Sequence, residues 1–151
     1  MRHFIASLDL GQAAQHTALA LIEATTPPSG DRSRSRYEVS FVKRFAPNTP
    51  TPEIRRYVGA MAHDLPQPCE VHCVVGITCV GPALYQYFAD SFEWVVGVQL
   101  TNGVGHPAFG RGVWQLPKIV AASAVKLEGD NGRLHIARHM PDAGLLIKEL
   151  E

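Results

Sequence analysis

The residue that could do chemistry most directly is Asp9, a carboxylate near the end of the apolar run Phe4, Ile5, Leu8, Leu10, which Gly11 follows. An acid in that place is costly unless it is solvated, paired or holding a cation, so it reads either as a metal ligand or as an organiser of the turn through nearby backbone N–H groups. Cys69, His72, Cys73 and Cys79 form a second set with the right residue types for zinc. Alternation along a strand sends His72 and Cys73 to opposite faces, so no zinc is expected, and the three cysteines read as reduced thiols in or beside a core. The third set is basic: Arg32, Arg34 and Arg36, then Lys43 and Arg44, and farther on Lys118. These are the candidates for holding nucleic-acid phosphates, against the plainer reading of a solvated hairpin tip. Phe109 and Trp114 could stack on bases or simply anchor their loop.

The elements that must position these residues follow from periodicity. Ile5–Glu23 reads as two strands around a short polar turn, with Thr17–Glu23 as the returning strand. Residues 24–36 (ATTPPSGDRSRSR) read as a mobile connection outside both flanking strands, and Tyr37–Phe45 as a third, antiparallel strand. A helix is expected after Thr51-Pro52, carrying Ile54, Tyr57, Val58 and Met61 at helical spacing. Val71–Val75 and Trp94–Leu100 read as buried strands, with a helix at Gly81–Asp90 between them. Thr101–Trp114 reads as a long glycine-rich loop, Pro117–Glu128 as a helix opening on its proline, and Pro141–Glu151 as a last helix. Leu134–Ala137 is too short to assign. Three antiparallel strands, helix, strand, helix, strand, helices: that order predicts an α/β mixed sheet with flanking helices in a single domain over residues 1–151.

Composition bounds the function. With 151 residues, 46% of them apolar, the chain can bury a real core. Its formal net charge is zero, so whole-molecule electrostatics do not announce a nucleic-acid partner. Charge is nonetheless uneven, with eight Lys/Arg against five Asp/Glu through Ala60 and six against nine afterwards. Neither a signal peptide nor a long apolar span is present, so the expectation is a cytoplasmic protein with no membrane partner. The G-x-x-x-x-G-K-[ST] pattern is absent, so no nucleotide is expected through a loop of that type.

Taken together, L-D-L-G-Q (8–12), T-A-L-A-L-I-E (17–23), V-V-G-I-T-C-V-G-P-A-L (74–84), L-P-K-I-V-A-A-S-A (116–124), G-R-L-H-I-A (132–137) and A-G-L-L-I-K-E-L (143–150) resemble the nuclease domain of phage terminase large subunits. The resemblance covers Phe4 to Leu150 and implies an RNase H-like fold, Asp9 as a catalytic acid, and two divalent metals, Mg²⁺ or Mn²⁺, acting on a DNA phosphodiester. Phage packaging proteins and DNA are the partners it implies. L-P-K, with Lys118, recurs in that family.

The chain departs from the family at two acids. Where members read V-V-D-A-T-G-V-G, this sequence reads V-V-G-I-T-C-V-G, placing Gly76 at the second acid; the third lies beyond the last match, and neither Asp142 nor Glu149 fits its motif. Glu70 cannot substitute, because it begins the strand that Gly76 ends, about 20 Å away. A lone Asp9 would hold at most one weak ion. The expectation is therefore a catalytically degenerate domain, a pseudoenzyme that keeps weak DNA or metal binding. The alternatives are an active metal-dependent endonuclease of DNA packaging using Asp9, and a structural or assembly protein using a sheet edge or the glycine-rich stretch. Resemblance to actin-like ATPases stops at the Asp-x-Gly turn, since those clamp a nucleotide between two such domains. The chain opens with Met1 and completes its first strand without an upstream segment, so a nuclease-type domain standing alone is expected, without the motor half of terminases.

Overall fold

A computed structural model describes residues 1–12, 14–78 and 80–151. Its centre is an eight-stranded mixed sheet in the order β6-β7-β5-β4-β1-β2-β3-β8. The strands are β1 (Arg2–Asp9), β2 (Ala18–Thr25), β3 (Arg36–Arg44), β4 (Cys69–Gly76), β5 (Val95–Thr101), β6 (Ala108–Gly110), β7 (Val113–Pro117) and β8 (Leu134–Ile136). β1, β2 and β3 form the expected antiparallel meander, while β4 pairs parallel to β1, β5 to β4, β7 to β5 and β8 to β3. This is the α/β, RNase H-like arrangement that the order of elements predicts.

The two faces of the sheet differ. Phe4, Ala6 and Leu8 of β1, Leu19 and Leu21 of β2, and Cys73 and Val75 of β4 form one buried layer with Ile54 and Val58 of α1 (Thr51–His63) and Phe88 of α2 (Pro82–Ala89). Phe88 has no exposed surface, and burying such a side chain contributes roughly 1.5–3 kcal/mol. The opposite face carries the odd-numbered residues of β1 and the even-numbered residues of β4, because successive side chains alternate. A smaller core covers its far end, where Val39, Met140 and Ala143 pack with Ile22, Leu134 and Leu146.

α3 (Lys118–Asp130) leaves β7 near one edge and delivers the chain to β8 at the other. It buries none of its residues, and Ile119, Val125 and Leu127 are exposed. α4 (Ala143–Leu150) packs through Ala143 and Leu146 onto the smaller core.

Several elements differ from expectation. Residues 24–36 are not wholly outside the strands: Thr25 still belongs to β2, Arg36 opens β3, and Arg32–Arg34 form a short 3₁₀ turn whose Asp31 accepts from the Ser33 N–H. The Thr101–Trp114 stretch is not a loop throughout, since Phe109 pairs with Trp114 in a β6–β7 hairpin. Arg111 and Gly112 turn it with φ of 53° and 78°. Pro117 closes β7 instead of opening the helix, and α3 begins at Lys118. Leu134–Ile136 is a strand, held by parallel pairing to β3. No described helix is long and apolar enough to cross a membrane.

Candidate functional site

Asp9 lies in a single row across the sheet. Strand register pairs Trp114 with Val98, Val98 with Gly76, Gly76 with Asp9, Asp9 with Ala18, and Ala18 with Arg44. Paired residues present their side chains to the same face, so the row runs aromatic, aliphatic, glycine, acid, alanine, arginine. Phe109 adds a second ring, 4.9 Å from that of Trp114. Beyond Asp9 the chain turns through Gly11, where an added Cβ would meet the His16 carbonyl oxygen at 2.5 Å. The Gly11 N–H donates to Thr17 Oγ1 at 3.0 Å. Asp9 is exposed and makes no side-chain hydrogen bond among the described residues, where the bond that organises this turn is the one to Thr17.

Asp9 opens into a groove of about 500 Å³ between the sheet and the helices α3 and α4, lined also by Ser7, Arg44, Val125, Asp142 and Glu149. Asp142 and Glu149 match no motif, yet the fold carries both to the wall of the Asp9 groove. No local signal marks them; their placement follows from α4 docking on the smaller core. Glu149 faces Arg44 at 3.7 Å, an exposed pair of the kind worth at most about 1 kcal/mol.

The sheet offers no second carboxylate beside Asp9 on β4. Gly76 presents a hydrogen where the second carboxylate would stand: a Cβ built there lies 3.3 Å from Asp9 Oδ1. Among the described residues, the one group of three ligating side chains within 4.8 Å of one another is His3, Glu70 and His72, which excludes Asp9. That group is at the other end of the same strands, since His3 pairs with Glu70 and Asp9 with Gly76 six positions later.

The basic candidates do not form one patch. Arg44 is in the Asp9 row, whereas Lys43 pairs with Leu19 and its Nζ lies 5.0 Å from the Tyr57 ring and 5.3 Å from that of Phe45. Arg36 starts β3 eight residues before Arg44, about 26 Å away by strand rise, and reaches His135 Nε2 at 2.9 Å. Arg32 and Arg34 are exposed in the neighbouring 3₁₀ turn, and Lys118 begins α3.

Of the thiols, Cys73 is buried and desolvation pushes it up to about 12, while Cys69 is half-buried. Cys79 lies outside the described residues. His72 and Cys73 do take opposite faces, His72 exposed and Cys73 buried.

No family model matches the chain, and no curated protein matches it by sequence. Among solved structures, the large terminase of a thermophilic bacteriophage superposes with a TM-score of 0.62 at 9% identity, covering 98% of this chain and 31% of that one. The chain thus spans about a third of that terminase's length, and the similarity establishes a terminase-like fold.

Proposed function

We propose that this chain is a degenerate relative of the terminase nuclease, a domain that keeps the RNase H-like sheet and weak DNA affinity and has lost phosphodiester hydrolysis. The observation that carries the proposal is the pairing of Asp9 with Gly76, which leaves Asp9 without a second carboxylate across the strand pair where two-metal cleavage would draw on one. Each missing metal removes several kcal/mol of transition-state stabilisation, and each 1.36 kcal/mol is about tenfold in rate. Arg44, in the same row, supports phosphate contact beside Asp9, and the Phe109–Trp114 pair supports base stacking at the far end of that row.

One observation favours a second reading, an active endonuclease of phage DNA packaging. Asp142 and Glu149 share the Asp9 groove, and a shift of α4 would add a carboxylate from outside the family motifs.

The discriminating experiment is nicking of supercoiled plasmid in Mn²⁺ and in Mg²⁺ by the chain and by Asp9→Asn. The degenerate reading expects no cleavage by either. Cleavage abolished by Asp9→Asn and by Glu149→Gln overturns it in favour of the second reading.

A further inference from the structure

The end of the sheet opposite Asp9 carries a different chemistry. His3 of β1 pairs in register with Glu70 of β4, and His72 stands two positions after Glu70, so all three side chains project from the same face. Glu70 Oε2 is 3.1 Å from His3 Nδ1 and 3.8 Å from His72 Nε2. One carboxylate oxygen therefore sits between two imidazole nitrogens contributed by different strands. All three side chains are half-exposed, so a cation has access without displacing any core residue.

We propose that His3, Glu70 and His72 form a binding site for a first-row divalent cation of the zinc type, independent of the Asp9 groove. Ligand chemistry and spacing both support it. Two imidazoles and a carboxylate are the donor set of open zinc sites, with water or an exogenous ligand completing the shell. Tetrahedral coordination at 2.0–2.1 Å requires donor atoms about 3.3 Å apart. The observed separations bracket that figure, and all three atoms lie within 4.8 Å of one another, so small rotamer changes close the site. Hard, octahedral Mg²⁺ is poorly served by two nitrogens, which separates this site from anything Asp9 would hold.

The absence of zinc expected from the sequence rests on the cysteines, and this site uses none of them. Cys69 pairs in register with Arg2 and alternates away from Glu70, and Cys73 is buried on the other face. His3 is supplied by a different strand, which is why no motif reveals the site. The bound ion would clip the start of β1 to the start of β4, with Trp94 close by: its ring lies 5.9 Å from that of His72.

Calorimetric titration of the untagged chain with ZnCl₂ tests the proposal, alongside Co²⁺ titration followed by absorbance and tryptophan emission. The expected result is one saturable site, weakened at least tenfold by Glu70→Gln and by His72→Ala and unchanged in Asp9→Asn and Cys69→Ser. Bound Co²⁺ should show d–d bands without sulfur charge transfer and should quench emission that Trp94→Phe removes. All three ligands are half-exposed, so the variants should keep the parent's circular dichroism, and Glu70→Gln preserves shape if His72→Ala does not fold. No saturable binding, binding that survives both ligand substitutions, or a thiolate signature overturns the proposal.

Discussion

Asp9 and Gly76 are cross-strand partners at the ends of β1 and β4, and a Cβ added to Gly76 would sit 3.3 Å from Asp9 Oδ1 and 3.3 Å from the Leu8 carbonyl oxygen. The position is close enough to share a cation and close enough to repel a second charge. In Gly76→Asp, the two carboxylates without metal should cost about 1 kcal/mol of stability at this exposed site. Mn²⁺ should reverse the loss, because an ion bound only by the folded state stabilises it by mass action. Thermal melts in EDTA and in Mn²⁺ check this: the variant should melt below the parent in EDTA and gain more from Mn²⁺. Equal Mn²⁺ responses would show that Gly76 does not border a cation position.

The turn after β1 is assigned to Thr17. Removing its hydroxyl in Thr17→Val leaves the Gly11 N–H without its partner, an expected loss of about 1–3 kcal/mol. Asp9→Ala, which deletes an exposed side chain, should stay within about 0.5 kcal/mol. Urea unfolding of both variants decides it, and a larger loss from Asp9→Ala would return Asp9 to the role of turn organiser.

Nucleic-acid affinity should divide along the sheet. Arg44→Ala removes the cation beside Asp9, and a triple Arg32→Ala, Arg34→Ala, Arg36→Ala variant removes those at the other end of β3. For each phosphate left unneutralised, the salt dependence of duplex binding should shrink by about 0.9 in slope, measured by fluorescence anisotropy over a salt series. An unchanged slope in the triple variant would remove those arginines from the interface.

Cys73 links stability to alkaline pH. Burial raises its thiol from 9.0 to about 12, so between those values the folded state holds a proton that the unfolded chain has released. The stabilisation is fully present below pH 9 and declines as pH rises toward 12, by at most about 1.4 kcal/mol per pH unit. The stability difference between the chain and Cys73→Ala should accordingly narrow from pH 8 to pH 10.5 in urea titrations. A difference that stays constant would mean the thiol is solvated in the folded protein.

The meander, α1 and β4 are legible in the sequence because each carries its own local signal: alternating and branched apolar residues in the meander, Ile54, Tyr57, Val58 and Met61 at helical spacing, and a short β-branched run at Val71–Val75 bounded by Pro68 and Gly76. β6 is not, since Ala108-Phe109-Gly110 is short, follows Pro107 and ends in a glycine, and its pairing with β7 is a tertiary fact. α3 is visible as a helix, but its exposed Ile119 and Val125 give no sign that it stands off the sheet and leaves a groove. At the site, Asp9 is legible from the sequence as a carboxylate near the end of an apolar strand, and the resemblance adds the expectation of an acid where Gly76 stands. Arg44 joining their row is not legible, because it depends on the register of two strand pairs and an irregularity between Leu21 and Ile22. His3 meeting Glu70 and His72 is hidden for the same reason.

The parallel pairing of Val39 with Ile136 ties together two segments with α1, β4, α2, β5, β6, β7 and α3 between them, whereas β1, β2 and β3 follow one another through turns. Closing so long a stretch carries a loop-entropy cost that the turns of the meander avoid, and among the described residues it is held by three residue pairs, a small core and the exposed Arg36–His135 and Arg44–Glu149 contacts. The wall of the Asp9 groove is therefore a late and weakly latched addition, able to come away while the meander stays folded. Amides of β8 and α4 should exchange with deuterium well before those of β1 and β4; if all four exchange together, the molecule opens as one unit. In the first case, the company of Asp142 and Glu149 beside Asp9 is governed by the lifetime of a docked C-terminal segment and not by the dimensions of the groove.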